Sequence, residues 1–259
     1  MQFRSLIASG LFAFSCSVLL AQSALDKPTD GTQDLFPEDA KFDPENTPVK
    51  EVAPGVYDLR GIRLIKADRS VSFPAVVNMV DGPQEYFLVT AFGASHESVL
   101  RTSVQPTDLH VAMLLLGAKG TQTAGVDAAG AGEPARDPYQ GRIDGDEIEI
   151  FVSWQSKDVS LSVEAGIATI TTESGAPKPL VDARWRYNGS EILNGRYMGQ
   201  VTGNIISLIS DPYSMINHVG PGAGNDDIWQ ANAGVLPDKD SSVIVTIRLK
   251  EVKVGEKKD

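Results

Sequence analysis

Three histidines have the widest chemical repertoire in this sequence, and two of them lie near one another along the chain. His96 is followed directly by Glu97, and His110 lies in the next predicted element. Two imidazoles and one carboxylate can hold a zinc ion and leave one coordination position open for catalysis. We therefore take His96, Glu97 and His110 as candidate metal ligands, with Glu97 either a ligand or a general base for bound water. The alternative is that these histidines are structural hydrogen-bonding residues.

Three other catalytic or metal-binding patterns are incomplete. The His-Glu-x-x-His pattern of zinc proteases fails because Leu100 stands where the second His is required. Glu97 stands where the nucleophile elbow of serine hydrolases, read from Gly93, requires a glycine. A calcium loop read from Asp144 fails because Glu149 occupies the position of its required glycine. Catalytic residues therefore stay unassigned.

The glycine-rich segments do not have the patterns of cofactor-binding loops. Segment 117–120 lacks the spaced Gly-Lys-Ser/Thr of a phosphate-binding loop, and segment 220–224 contains a proline and no lysine. No Gly-x-Gly-x-x-Gly opens a helix after a strand, as a dinucleotide site requires. We therefore expect no cofactor.

Charge and cysteine content argue against two further classes, nucleic-acid-binding proteins and iron–sulfur proteins. The chain has 259 residues, with 23 basic and 34 acidic side chains and a net charge of −11. Nucleic acids bind clusters of Lys and Arg, so we do not expect a nucleic-acid partner. The one cysteine, Cys16, lies near the N-terminus, so the rest of the chain has no thiolate for an iron–sulfur cluster. The expected partner is an unidentified protein or small molecule.

Residues 1–23 have the pattern of a secretory signal peptide. Arg4 precedes an apolar stretch at 6–20, and Ala21 and Ser23 are the small residues that precede a cleavage site. The apolar stretch is shorter than the roughly 20 residues of a spanning helix, so we expect no transmembrane anchor in the mature chain. Lipidation of Cys16 is the alternative, but the preceding residues lack the Leu that such sites favour. The protein is therefore expected to be periplasmic or secreted.

Composition divides the remaining chain into three parts. Residues 24–54 are acidic and contain five prolines, which predicts a flexible leader. Residues 55–250 carry the regular apolar patterns of a single domain, and 251–259 form a charged tail. Inside the domain, residues 117–138 are rich in Gly and Ala and predict a long loop.

The regular patterns predict an α+β domain. Positions 106–116 predict one clear helix, because Pro106 suits the first helical position and Leu109, Ala112, Met113 and Leu116 share one face. Apolar runs separated by turn residues predict strands of a mostly antiparallel or mixed sheet. These runs are 61–67, 71–77, 85–91, 146–154, 183–187, 196–201, 204–209 and 242–249. A few further short helices are expected in the connections.

Several of these stretches together resemble the YdjY-domain family of exported bacterial proteins, over roughly residues 55–250. The resemblance is carried by 73–78, 85–89, 96–98, 106–110, 114–117, Trp185, 189–190, Gly203, 211–212, 225–232, Pro237 and 243–249. The family has no settled activity, so the resemblance implies an architecture and export rather than a mechanism. The family name is sometimes linked to ferredoxin-like proteins, but this chain has no cysteine beyond Cys16 to bind a cluster. His96, Glu97 and His110 lie in the resembling stretches, which makes them the first site candidates.

Two functions of different kinds follow from the sequence. The first is an exported, non-catalytic domain that binds a partner or is associated with the cell envelope. The alternative is a metal-dependent, hydrolase-like enzyme that uses His96, Glu97 and His110. A third possibility, suggested by composition alone, is a sugar-binding module that uses Trp229 and the glycine loop at 220–224.

Overall fold

The computed structural model describes residues 48–121, 143–157 and 159–251. The predicted signal peptide with Cys16, residues 24–47 of the predicted leader, residues 122–138 of the predicted loop and residues 252–259 of the tail lie outside the described residues. All described residues belong to one unit, which starts at Asn46.

Seventeen strands and two α-helices form the described part of the chain. The strands are β1 (Val49–Ala53), β2 (Val56–Leu59), β3 (Ile62–Ile65), β4 (Ser70–Val77), β5 (Tyr86–Thr90), β6 (Ser98–Thr102), β7 (Asp146–Ser156), β8 (Val159–Glu164), β9 (Thr169–Thr171), β10 (Lys178–Pro179), β11 (Trp185–Tyr187), β12 (Ile192–Leu193), β13 (Arg196–Tyr197), β14 (Asn204–Ser207), β15 (Ile216–His218), β16 (Trp229–Ala231) and β17 (Ser242–Leu249). The helices are α1 (Pro106–Leu115) and α2 (Met198–Thr202), and Ser95–Glu97 forms one turn of 3-10 helix.

Eight of the strands close into a cylinder. Their order is β4-β17-β7-β11-β15-β14-β5-β6, and β6 pairs back with β4. Most neighbours are antiparallel, whereas β14–β15 and β5–β6 are parallel. Strands β1, β2 and β3 continue the sheet beyond β4, and β8 extends it beside β7. The end of the segment predicted as a leader thus forms β1, which pairs with β2.

Strict alternation of side chains builds the core of the cylinder. Along β17 the side chains of Val243, Val245, Ile247 and Leu249 are buried, while the residues between them are exposed or half-buried. β7 and β4 alternate in the same way. Because successive side chains of a strand point to opposite faces, one face of each strand fills the interior and the other forms the outer surface.

The predicted helix at 106–116 is present as α1. Pro106 lies at its start, and its buried face consists of Pro106, Leu109, Ala112 and Met113. α1 contacts β3 and α2. Its neighbour α2 occupies most of the segment 196–201 that the sequence pattern predicted as a strand, so that prediction was wrong beyond Tyr197.

The predicted α+β class is also wrong: the protein is mostly β. Among the described residues 45% lie in strands and 10% in helices, and there are two α-helices rather than several. The physical reason is the closure of the sheet. A closed sheet buries its apolar face against itself, so it needs no covering layer of helices.

Neither α-helix in the described ranges has the length and the apolar character needed to cross a membrane.

Candidate functional site

His96 and Glu97 lie together on the surface. Both belong to the 3-10 turn between β5 and β6, and His96 Nε2 lies 3.1 Å from Glu97 Oε1. The His96 side chain is 76% exposed. Glu85 is close by, since its backbone N–H donates to the Glu97 carbonyl at 3.0 Å. Burial, followed by the charges of Glu97 and Asp226, raises the pKa of Glu85. The surface around His96 is therefore acidic.

His110 belongs to a different cluster, formed with two tyrosines. Its Nδ1 lies 2.7 Å from the hydroxyl of Tyr187, and its ring centroid lies 5.0 Å from that of Tyr197. Burial lowers the pKa of His110 and raises the pKa of both tyrosines. All three side chains are thus held neutral, and a neutral phenol donates naturally to Nδ1 of a neutral imidazole. In that arrangement Nδ1 is unavailable to a metal ion.

The structure brings His96 and Glu97 together and places His110 against Tyr187 and Tyr197. Within residues 48–121, 143–157 and 159–251, no three His, Cys, Asp or Glu side chains are grouped so as to hold a metal ion. A shared metal site of His96, Glu97 and His110 stays a prediction.

His218 lies in an aromatic cage. It is fully buried in β15, and its ring packs edge-on against Trp185 and Trp229, with centroids 5.5 and 5.2 Å away. Burial and, secondly, the charge of Arg184 lower the pKa of His218 to about 4, against a small opposing effect of the Leu208 backbone. Trp229 is fully buried as well, so it offers no surface on which a sugar ring could stack.

A buried polar network stands beside this cage, and the sequence analysis missed it. The Asn217 amide donates to Asn188 Oδ1 and to the Asp211 carbonyl, each at 2.9 Å, and its Oδ1 accepts the Asp211 N–H at 2.8 Å. The Asp211 carboxylate accepts the Ser214 hydroxyl at 2.8 Å, and Asn188 donates to the Ser214 carbonyl. Because its groups are occupied by one another, this network fixes the loop at 211–214 rather than presenting a reactive group.

A cleft of about 770 Å³ crosses the outer surface of the cylinder. Its floor consists of the outward-facing side chains of Pro74, Val76 and Ile244, and Ile244 is 42% exposed. Ile244 pairs with Pro74 on one side and with Ser153 on the other. The floor is therefore a row of apolar residues on adjacent strands.

Polar side chains border this apolar floor. Arg101 lies opposite Val76, and Ser160 lies opposite Gln155 in the β7–β8 hairpin. Further hydroxyl groups come from Thr102, Ser103, Ser153, Ser241 and Ser242. Arg101 forms an ion pair of 3.2 Å with Asp240, and both side chains are exposed. Such exposed pairs are weak, so Arg101 can exchange Asp240 for an anionic ligand at little cost.

Apolar and uncharged polar residues make up most of the lining of the cleft. Among the described residues that line it, none is His, Cys, Asp or Glu. An apolar floor with a few polar groups at the rim is typical of ligand sites, and the volume lies within their usual range of about 300–1,000 Å³. The cleft is lined by residues of β4, β6, β7, β8 and β17. These residues come together only through the pairing register of the strands, which cannot be read from the sequence.

The family model described as the YdjY domain matches residues 63–248, which is more than half of the chain. No curated protein and no solved structure matches the sequence.

Proposed function

The chain belongs to the YdjY domain family, and we propose that it is an exported, non-catalytic domain that binds its partner in the outer cleft. The single observation that carries this proposal is the chemistry of the cleft, whose apolar floor is bordered by hydroxyl groups, an amide and Arg101. The titratable side chains described above lie elsewhere. The binding role is thus supported by a large cleft whose lining residues include no carboxylate, imidazole or thiol.

The partner proposed for the cleft is amphipathic. Pro74, Val76 and Ile244 would cover an apolar body, and the serine and glutamine side chains would bond to polar groups at its edge. Arg101 is the one charged residue among the lining residues, and it favours a ligand with an anionic group. The chain as a whole has a charge of −11, so this cation is a local exception.

Binding of the dye 8-anilinonaphthalene-1-sulfonate tests the cleft, since the dye combines an apolar ring system with a sulfonate. We expect fluorescence titration of the folded protein to give saturable binding. Ile244→Asp should weaken it by about tenfold or more, because it places a carboxylate in the apolar floor. Arg101→Ala should weaken it about fivefold, as for the loss of one exposed charge contact.

Arg248→Ala is the matched control for Arg101→Ala. Arg248 lies on the same outer surface and also forms an exposed ion pair, with Glu149, but it does not line the cleft. Its replacement should leave dye affinity unchanged. Equal losses of dye affinity in the two arginine variants, with unchanged circular dichroism, would show that the dye binds to surface charge in general. That result would contradict the proposal.

Export is supported by the signal-peptide pattern of residues 1–23. We propose a periplasmic or secreted location for the mature chain, where it serves the envelope or a secreted partner. Protein recovered from an exporting cell should begin at Ala24 by N-terminal sequencing. Recovery from the cytosol with residues 1–23 retained would overturn this location.

The alternative proposal, a metal-dependent hydrolase, is favoured by the contact between His96 and Glu97. Against it, His110 Nδ1 is engaged by the Tyr187 hydroxyl. The two proposals differ in what a histidine substitution changes: loss of a ligand lowers metal content, whereas loss of a structural hydrogen bond lowers stability.

We expect His110→Ala to destabilise the protein by about 1–2 kcal/mol, because the buried Tyr187 hydroxyl loses its partner. His96→Ala should change stability by less than about 0.5 kcal/mol, since this side chain is largely exposed. Urea unfolding measures both effects, and elemental analysis of the purified protein should find no stoichiometric metal in either variant or in the wild type. A metal that is present in the wild type and lost in both variants would establish the hydrolase-like site instead.

A further inference from the structure

β8 is an edge strand whose central residues lack the usual protection. Among the described strands it pairs only with β7, and its register is continuous. Its six residues contain neither proline nor lysine, and their one charge, Glu164, stands at the C-terminal end of the strand. Val159 and Leu161 are 58% and 40% exposed. Natural proteins guard exposed sheet edges with charges, prolines or bulges, because an open edge is a template for pairing with another strand. Residues 159–163 of this edge have no such protection and therefore suit a partner strand.

The hydrogen-bonding pattern of the β7–β8 hairpin identifies the groups that face outward. Val163 lies opposite Val152, and the Ala165 N–H donates to the Ile150 carbonyl at 2.9 Å. Because alternate residues of an antiparallel strand bond to the same neighbour, residues 159, 161 and 163 bond to β7. Ser160 and Ser162 consequently direct their backbone N–H and C=O groups away from β7. These are the groups that a further strand would meet.

We propose that this edge pairs with β8 of a second copy of the chain, in antiparallel orientation about a two-fold axis through Leu161. Ser160 then lies opposite Ser162 of the second copy, and their outward backbone groups form four hydrogen bonds. Leu161 lies opposite its own copy, and Val159 opposite Val163. The pairing keeps apolar side chains on one face and serines on the other, so the strand is complementary to itself.

The central residues of this edge are uncharged. The chain has a net charge of −11, so two copies repel over most of their surfaces. Residues 159–163, however, are Val, Ser and Leu only. The like charges of Asp158 and Glu164, which the proposed register places opposite one another, lie at the two ends of the paired segment. Pairing also covers the exposed Val159 and Leu161 side chains. A strand from another protein could use the same backbone groups, and the experiments below distinguish it.

The dimer would extend the cleft of each copy. Ser160 lines the cleft, and its side chain lies on the same face of the hairpin as those of Ser153 and Gln155. In the proposed register Ser162 of the second copy lies directly beside Ser160 and adds a hydroxyl group to this wall. The inference concerns the sheet edge and does not depend on which ligand the cleft binds.

Sedimentation velocity of the wild-type chain over a concentration series tests self-association, and a dimer is expected. Ser162→Pro should weaken dimerisation by at least about tenfold, because proline removes an outward N–H and obstructs the edge. It should leave the β7–β8 hairpin intact, since the Ser162 N–H does not bond to β7. Ser162→Ala is the matched control and should dimerise like the wild type. A wild type that is monomeric throughout, or a proline variant that is folded and dimerises normally, overturns the proposal.

Cross-linking tests the register. In a background with Cys16→Ser the chain has no other cysteine, so Leu161→Cys is expected to form a disulfide-linked dimer on mild oxidation. The two residues at 161 would form a non-hydrogen-bonded pair with Cα atoms about 4.5 Å apart, which a disulfide can span. Val159→Cys is the control, because it is at least as exposed but lies opposite Val163. Equal cross-linking of the two cysteine variants would indicate random collisions between chains. No cross-linking of either variant would indicate that a second copy does not pair with β8 in this way. Each of these results overturns the proposal.

Discussion

Replacing Asn217 with alanine is expected to destabilise the protein by about 3–5 kcal/mol, among the largest effects of any polar substitution in the described chain. The Asn217 side chain is fully buried and makes three hydrogen bonds, to Asn188 and to both backbone groups of Asp211. Its loss leaves one buried and two partly buried polar groups without that partner, and each unsatisfied group costs about 1–3 kcal/mol. Partial relaxation of the loop at 211–214 keeps the total below the simple sum.

Urea unfolding followed by tryptophan fluorescence measures this loss, and Asn225→Ala is the matched control. Asn225 also accepts a backbone N–H, from Asp227 at 3.0 Å, but it lies on the exposed glycine loop. We expect its substitution to cost less than about 1 kcal/mol, because water replaces the lost bond. Equal effects in the two variants would mean that the network around Asn217 does not stabilise the fold.

Elements with local causes were predictable from the sequence. α1 follows from a proline at the first helical position and an apolar face at helical spacing, both visible within eleven residues. β17 was predicted at 242–249, where apolar and polar residues alternate except at Ile244. The contact of His96 with Glu97 is equally local, since the two are neighbours in the chain.

Features made by distant residues could not be predicted. His110 meets Tyr187 across 77 positions, and Asn188 meets Asn217 across 29. No local sequence pattern around these residues indicates such a distant partner. The closure of the sheet likewise depends on the pairing of β6 with β4. The α+β prediction failed for this reason. It assumed that helices cover the apolar face of an open sheet, whereas the closed sheet buries this face against itself.

The same distinction explains why the proposed binding cleft contains none of the candidate metal ligands His96, Glu97 and His110. Sequence motifs draw attention to reactive side chains, and here those side chains are dispersed over an acidic surface, a tyrosine cluster and an aromatic cage. The cleft contains residues of ordinary types, such as Pro74, Val76, Ser153 and Ile244. Their significance arises from the outward face that they share once the strands are in register.

A fall in pH should destabilise the protein through His218. Burial in the cage of Trp185 and Trp229 lowers its folded-state pKa to about 4, from an ordinary value of 6.5. Between these values the unfolded chain binds a proton and the native protein does not. The contribution of neutral His218 to the free energy of unfolding is therefore fully present above about pH 6.5 and is lost as the pH falls towards 4. At about 1.4 kcal/mol per pH unit, the loss by pH 5 is about 2 kcal/mol.

The difference between wild type and His218→Leu isolates this contribution, because acidic groups elsewhere titrate alike in both. Urea unfolding at pH 7 and pH 5 should show a wild-type stability loss about 2 kcal/mol larger than that of the variant. The pH 7 stabilities of the two proteins need not agree, since only the change with pH is compared. His96→Ala, which removes an exposed imidazole, should follow the wild type. If His218→Leu loses as much stability on acidification as the wild type, the imidazole is not held neutral by its cage.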